Sequence, residues 1–171
     1  AYRLHKALRA SGIDSQMLVS LKRRQDKQIA GETTMLANTL RRCRLAGDKL
    51  PLLFYPRRQP ISFSTQWLPN GIARKIRSMN TDLINLHWIG HGMLRIEDLI
   101  GLQQPLVWTL HDVWPFTGGC HVNLECRRYQ QTCGSCPQLG SNKSNDLSNK
   151  IWRRKEKSWR NLELTMVAPS R

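Results

Sequence analysis

The run Pro105-Leu-Val-Trp-Thr-Leu110 constrains the fold more than any other segment. Leu106, Val107, Trp108 and Leu110 leave almost no polar alternation. Such a run reads as a strand buried on both faces, the pattern of a parallel sheet covered by helices. It stops abruptly at His111 and Asp112. Open α/β sheets bind ligands just beyond the carboxyl ends of their strands, so titratable groups at that point are candidates for chemistry.

The rest of the chain alternates in the same manner. Residues 1–11 predict a helix with Leu4, Ala7 and Leu8 inward, His5 toward solvent and Gly12 as its stop. Gln16–Ser20 reads as a short strand and 22–28 as a loop. From Ile29 to Ala46 the spacing of Leu36, Leu40 and Cys43 predicts a helix closed by Gly47, with Cys43 in the core. Pro56 and Pro60 leave room for at most an edge strand between 51 and 65. A helix from Pro69-Asn70 faces Ile72, Ile76 and Met79 inward, and 82–88 is a strand. Ile96, Leu99 and Ile100 mark another helix, and Asp146 or Ser148 can cap one reaching about Leu162. Leu164–Ala168 is the last strand. Strand–helix alternation predicts an α/β fold, a Rossmann-like parallel sheet with helices on both faces and a Cys-rich insertion at about 113–145.

At 171 residues the chain is one domain long. It carries no apolar run long enough for a membrane span, and a secretory signal peptide is not expected. Ala1-Tyr2-Arg3-Leu4 reads as mid-helix and Thr165–Arg171 stops as a strand finishes, so an internal piece of a longer protein is expected. Net charge is +15, from 27 basic and 12 acidic residues. That balance favours polyanions or anionic membrane surfaces; a missing acidic partner domain would explain it equally well. A cytoplasmic setting is expected, with peripheral attachment at the inner face of the plasma membrane.

His111 is the catalytic candidate, because an imidazole can give or take a proton near neutral pH. His87 ends the preceding strand and would present a second imidazole to the same crevice. Asp112 could orient backbone or cap the turn. Trp88 and Trp114 could stack on a sugar ring or simply pack, and Thr117-Gly118-Gly119 could bring backbone N–H groups close to phosphate or sugar oxygens. His91 and His121 have weaker claims.

Cys120, Cys126, Cys133 and Cys136 follow C-x5-C-x6-C-x2-C. Four thiolates satisfy tetrahedral zinc, and a connection this long and this poor in apolar residues needs a staple. Structural zinc, two disulfides and free thiols all stay open. Lys150, Arg153, Arg154 and Lys157 share one helix face, which is either solvated or able to meet anionic headgroups.

INLHWIGHG, PLVWTLHDVWPFTGGCH, the spaced cysteines with CGSCPQLG, and the closing VAPSR resemble the amino-terminal domain of bacterial family 4 retaining glycosyltransferases of polysaccharide biosynthesis. The resemblance covers nearly the whole chain. It implies a GT-B fold of two Rossmann-like domains, in which the amino-terminal one binds a saccharide or lipid-linked acceptor. The nucleotide-sugar donor is held mainly by the other domain. It also implies that His111 lies against the transferred sugar and that no cofactor is needed for the chemistry. The first strand with its Gly-rich turn and the whole donor domain with its paired glutamates are absent, so this piece alone should be inactive. The competing expectation, a basic zinc module binding nucleic acid, is weakened by cysteines placed inside a strand–helix crossover and by the lack of an aromatic-basic RNA-binding signature. No nucleic acid partner is therefore expected.

Overall fold

The computed structural model describes residues 1–168; Pro169, Ser170 and Arg171, the end of the VAPSR stretch, lie outside the described residues. The chain divides into two compact units, residues 1–44 and residues 45 onward.

In the first unit, α1 (Tyr2–Ala10) ends at Gly12, whose φ of +82° suits glycine. The inward face differs from expectation. His5 is buried with its Nδ1 2.9 Å from Ser15 Oγ, while Leu4 is exposed. β1 (Met17–Val19) pairs in parallel with β2 (Ile29–Gly31), in register Met17 with Ile29.

β2 corrects the helix expected from Ile29. Gly31 packs where a Cβ would lie 2.8 Å from Val19 Cγ2, and Thr34 Oγ1 accepts from the Ala37 N–H at 3.2 Å. A hydroxyl in that position starts a helix. α2 therefore runs Met35–Asp48, passes through Gly47, and crosses into the second unit. Leu36, Leu40 and Cys43 are exposed on it, so Cys43 is not a core residue.

The second unit holds three parallel strands in the order β3 (Ile84–Leu86), β4 (Leu106–Thr109), β5 (Leu164–Val167). Ile84 faces Leu106, and Leu106 faces Leu164. Among the described residues β1 pairs only with β2, and β3 only with β4. β4 is less enclosed than its apolar run suggests: Leu106 and Trp108 are buried, Val107 and Thr109 half-buried. The molecule is thus α/β with short parallel sheets.

α3 (Ile72–Ser78) follows Asn70, whose side-chain oxygen accepts from the Ile72 N–H. Ala73 and Ile76 are its buried residues. Residues Ile96–Gly101 form a 3-10 helix rather than an α-helix, with Leu99 buried and Ile100 exposed. α4 (Leu147–Trp159) is capped by Asp146.

Asp146 also fastens the long connection that precedes it. Its Oδ1 accepts from the Asn149 N–H (3.1 Å) and Ser148 Oγ (2.6 Å), while its Oδ2 accepts from the Cys136 N–H (2.8 Å). Asn149 Nδ2 donates to the Cys133 carbonyl at 2.7 Å. The first turn of α4 thereby holds the Cys-rich loop through polar side chains. No helix among the described residues is long and apolar enough to cross a membrane.

Candidate functional site at the carboxyl end of the sheet

β3 and β4 lie side by side and parallel, so the residues following them emerge at the same end of the sheet. His87 and His111 meet there, with His87 Nδ1 2.8 Å from His111 Nε2 and ring centroids 5.1 Å apart. His111 is exposed. Burial, with a contribution from the neighbouring His111 charge, lowers the pKa of His87. The pair therefore resists carrying two positive charges at once. Sharing one hydrogen bond, the imidazoles can still offer donors or acceptors to a ligand.

Behind this pair lies a second, closed set of groups. Asp112 Oδ2 is 2.5 Å from His121 Nδ1 and accepts from Trp88 Nε1 at 2.6 Å; Oδ1 accepts from the Trp114 N–H at 3.0 Å. Burial opposes its charge. The hydrogen bonds from His121, the Trp114 amide and Trp88, with the charge of His121, nevertheless hold its carboxyl below the usual carboxylate value. An ionised carboxylate only accepts, so His121 Nδ1 donates to it. His121 Nε2 lies 2.7 Å from Ser64 Oγ on its other side. Ser64 Oγ in turn accepts from the His91 N–H at 3.0 Å.

Ser64, His121 and Asp112 have the distances of a nucleophile triad. Ser64, however, is 0% exposed, and no substrate carbonyl can reach it. These groups hold the loop together. Phe63 and Cys120 form an isolated antiparallel bridge, and the Ser64 N–H donates to the Gly119 carbonyl at 2.9 Å.

Trp88 keeps a large exposed surface next to this network. Trp114 does not: it is buried, donates from Nε1 to the Ser64 carbonyl at 3.1 Å, and stacks with His121 at 6.3 Å. It packs rather than facing a ligand. Thr117, Gly118 and Gly119 are likewise buried. The Gly118 N–H donates to Cys133 Sγ at 3.1 Å, and the Gly119 N–H is 3.4 Å from Thr117 Oγ1. A Cβ on Gly118 would lie 2.2 Å from the Ser148 carbonyl oxygen, and one on Gly119 2.3 Å from the Phe63 ring. These glycines permit close packing; their amides are committed within the protein.

Lys155 carried no signal of its own in the sequence beyond membership of a basic helix. It is 4% exposed. Its Nζ donates to the Trp114 carbonyl and, at 2.9 Å, to the Thr117 carbonyl, and lies 3.4 Å from the Trp114 ring centroid. Burial drives its pKa well down, against the pull of the nearby Cys120 and Cys133. Lys155 closes the 3-10 turn Trp114–Phe116 from beneath and so joins α4 to the turn that follows His111 and Asp112.

The four cysteines are free thiols lining one small cavity, together with Gly118 and Tyr129. Burial raises the thiol pKa of Cys120, Cys136 and Cys133, the last to about 12. Four soft donors suit zinc chemically. Among the described residues, though, no three His, Cys, Asp or Glu side chains are arranged to hold a metal ion.

Comparison with protein-family models, with curated proteins and with solved structures finds no match for this chain.

Proposed function

We propose that the chain is the acceptor-side half of a family 4-type retaining glycosyltransferase, a Rossmann-like domain with helices on both faces of its sheet. In this reading the whole enzyme, not this half alone, transfers a sugar from a nucleotide-sugar donor to a polysaccharide or lipid-linked acceptor. The observation that carries the reading is the pairing of His87 with an exposed His111 at the carboxyl end of adjacent parallel strands, where α/β sheets place ligands. His111 contacts the transferred sugar, His87 fixes its ring, and the exposed face of Trp88 offers a stacking surface for a sugar ring. Asp112 holds Trp88 and the Trp114 turn in place rather than touching substrate.

The test uses the protein at its natural length, assayed for sugar transfer from a panel of nucleotide sugars to membrane lipid extracts. The reading expects transfer in the wild type and its loss in His111→Ala. A wild-type protein that transfers no sugar, or an unimpaired variant, would overturn it.

Zinc at Cys120, Cys126, Cys133 and Cys136 is proposed as a structural ion only, resting on the donor chemistry and the shared cavity. The side chains would have to turn toward a common centre. Metal analysis should read one zinc per chain, lost in Cys133→Ser; a metal-free chain in which all five thiols, Cys43 included, titrate contradicts it.

A further inference from the structure

Of the basic face expected on α4, Lys150, Arg153 and Lys157 are exposed, and Arg154 is taken up within the protein. Arg154 forms a two-pronged contact with Glu97 (2.9 and 3.0 Å) and donates to the carbonyls of Thr65 and Gln66. Arg153 Nε donates to Asn149 Oδ1. A different surface combines free charge with exposed apolar groups.

The segment Lys49-Leu-Pro-Leu-Leu-Phe-Tyr-Pro-Arg-Arg58 forms a 3-10 helix over Leu50–Phe54. With three residues per turn, Leu50 and Leu53 fall on the same side, and Phe54 adjoins them. They are 51%, 68% and 85% exposed. Leu52 is buried and pins the turn from the other side. The Leu52 N–H donates to the Lys49 carbonyl (2.9 Å), the Tyr55 N–H to the Leu52 carbonyl (3.0 Å) and the Arg58 N–H to the Tyr55 carbonyl (3.1 Å). Tyr55 Oη accepts from the Leu147 N–H at 2.8 Å, and the Gln59 N–H donates to the Gln138 carbonyl at 2.8 Å. The turn is thus tied down at its base and presents its apolar side chains outward in a preset shape.

Lys49, Arg57 and Arg58 flank these side chains, are all exposed, and have no carboxylate partner among the described residues. Residues 49–81 contain no Asp or Glu at all.

We propose that this turn docks the chain on an anionic membrane surface, with Leu50, Leu53 and Phe54 entering the headgroup–acyl boundary and Lys49, Arg57 and Arg58 meeting lipid phosphates. Apolar tips ringed by cations match that boundary, where burial of apolar groups and attraction to anionic headgroups act together. A protein partner would have to bring a concave apolar surface with acidic edges; an anionic bilayer supplies both properties without further shape. The inference stands apart from the transferase reading, because membrane binding needs no turnover.

The test is co-sedimentation of the full chain with phosphatidylcholine vesicles, with and without phosphatidylglycerol. Binding should require the anionic lipid and weaken steeply from about 0.1 to 1 M salt, as the screening length falls from about 10 to 3 Å. Leu53→Ser with Phe54→Ser should weaken it on the order of tenfold or more without changing the melting temperature, since neither side chain is in the core. Arg57→Glu should cost at least about fivefold, whereas Lys157→Glu on α4 should change it less. Phe54→Trp should shift its emission to the blue on anionic vesicles alone, which separates insertion from mere attraction of a +15 chain. Equal binding to neutral and anionic vesicles, or binding indifferent to the double serine variant, would overturn the proposal. So would concentration-dependent dimerisation abolished by that variant, which would assign the surface to a second copy of the chain.

Discussion

His111 and His121 stand on the same connection after β4, and the structure treats them in opposite ways. His111 is exposed and shares its hydrogen bond with another imidazole. His121 is buried, with one nitrogen on the Asp112 carboxylate and the other on the Ser64 hydroxyl. Residue type alone makes both candidates for proton transfer. Environment separates them: an imidazole whose two nitrogens are committed to buried partners organises a loop, and one left exposed can meet a ligand. The same division runs through Trp88 and Trp114, of which one keeps an exposed face and the other is packed.

The closed set should give the largest stability effects. His121→Ala leaves the Asp112 carboxylate and the Ser64 hydroxyl short of partners, at a cost of about 3 kcal/mol. For a domain of this size that is a fall of roughly 6–12 °C in melting temperature. A loss below about 1 kcal/mol would mean the network holds little. The wild type should also lose stability in acid. The Asp112 carboxyl lies below its usual 3.8 in the folded chain, so its contribution is complete above that value and fades as pH drops toward the depressed one. Asp112→Asn should flatten that limb of the stability curve, and an unchanged limb would assign it to other carboxylates.

Next comes Lys155→Met. It strips the carbonyls of Trp114 and Thr117 of a donor while removing a buried amine whose charge burial disfavours, so the loss should be smaller, about 2 kcal/mol. Tryptophan emission should change with it, since the Lys155 amine over the Trp114 ring is gone. A variant as stable as the wild type, with unaltered emission, would show that Lys155 does not hold the turn.

In alkali the buried thiols of the metal-free chain act in turn. Without metal, Cys133 is raised from 9.0 to about 12, so above pH 9 the unfolded chain sheds a proton that the folded chain keeps, and stability falls as pH climbs toward 12. Cys133→Ala should reduce the slope; an equal slope in both would deny the raised value.

Much of this division was hidden in the sequence for physical reasons. The run at Leu106–Thr109 and a helix cap at Asp146 or Ser148 could be read because apolar continuity and a side-chain oxygen before a helix act locally. The helix expected from Ile29 went astray because Leu36, Leu40 and Cys43 have helical spacing, whereas Ile29–Gly31 is drawn into a strand by pairing with Met17–Val19. The Ser64–His121 contact spans 57 positions, and no local pattern announces a contact that distant. Lys155 lies off the stripe of Lys150, Arg153, Arg154 and Lys157 and carried no local signal; only the packing of Trp114 over it and two carbonyls beneath the turn set it apart. The cysteines suggested a staple by their spacing, but Asp146 and Asn149 already fasten their backbone.

The smallest stability effect should come from the open pair, where it coincides with the largest effect on chemistry. His111→Ala, made in the protein at its natural length, should shift the melting temperature by no more than about 2 °C, because the side chain is exposed and one shared hydrogen bond is lost. Sugar transfer by that variant should fall on the order of 100-fold or more. Transfer at the wild-type rate would contradict the assignment of the open histidine pair as the reactive site.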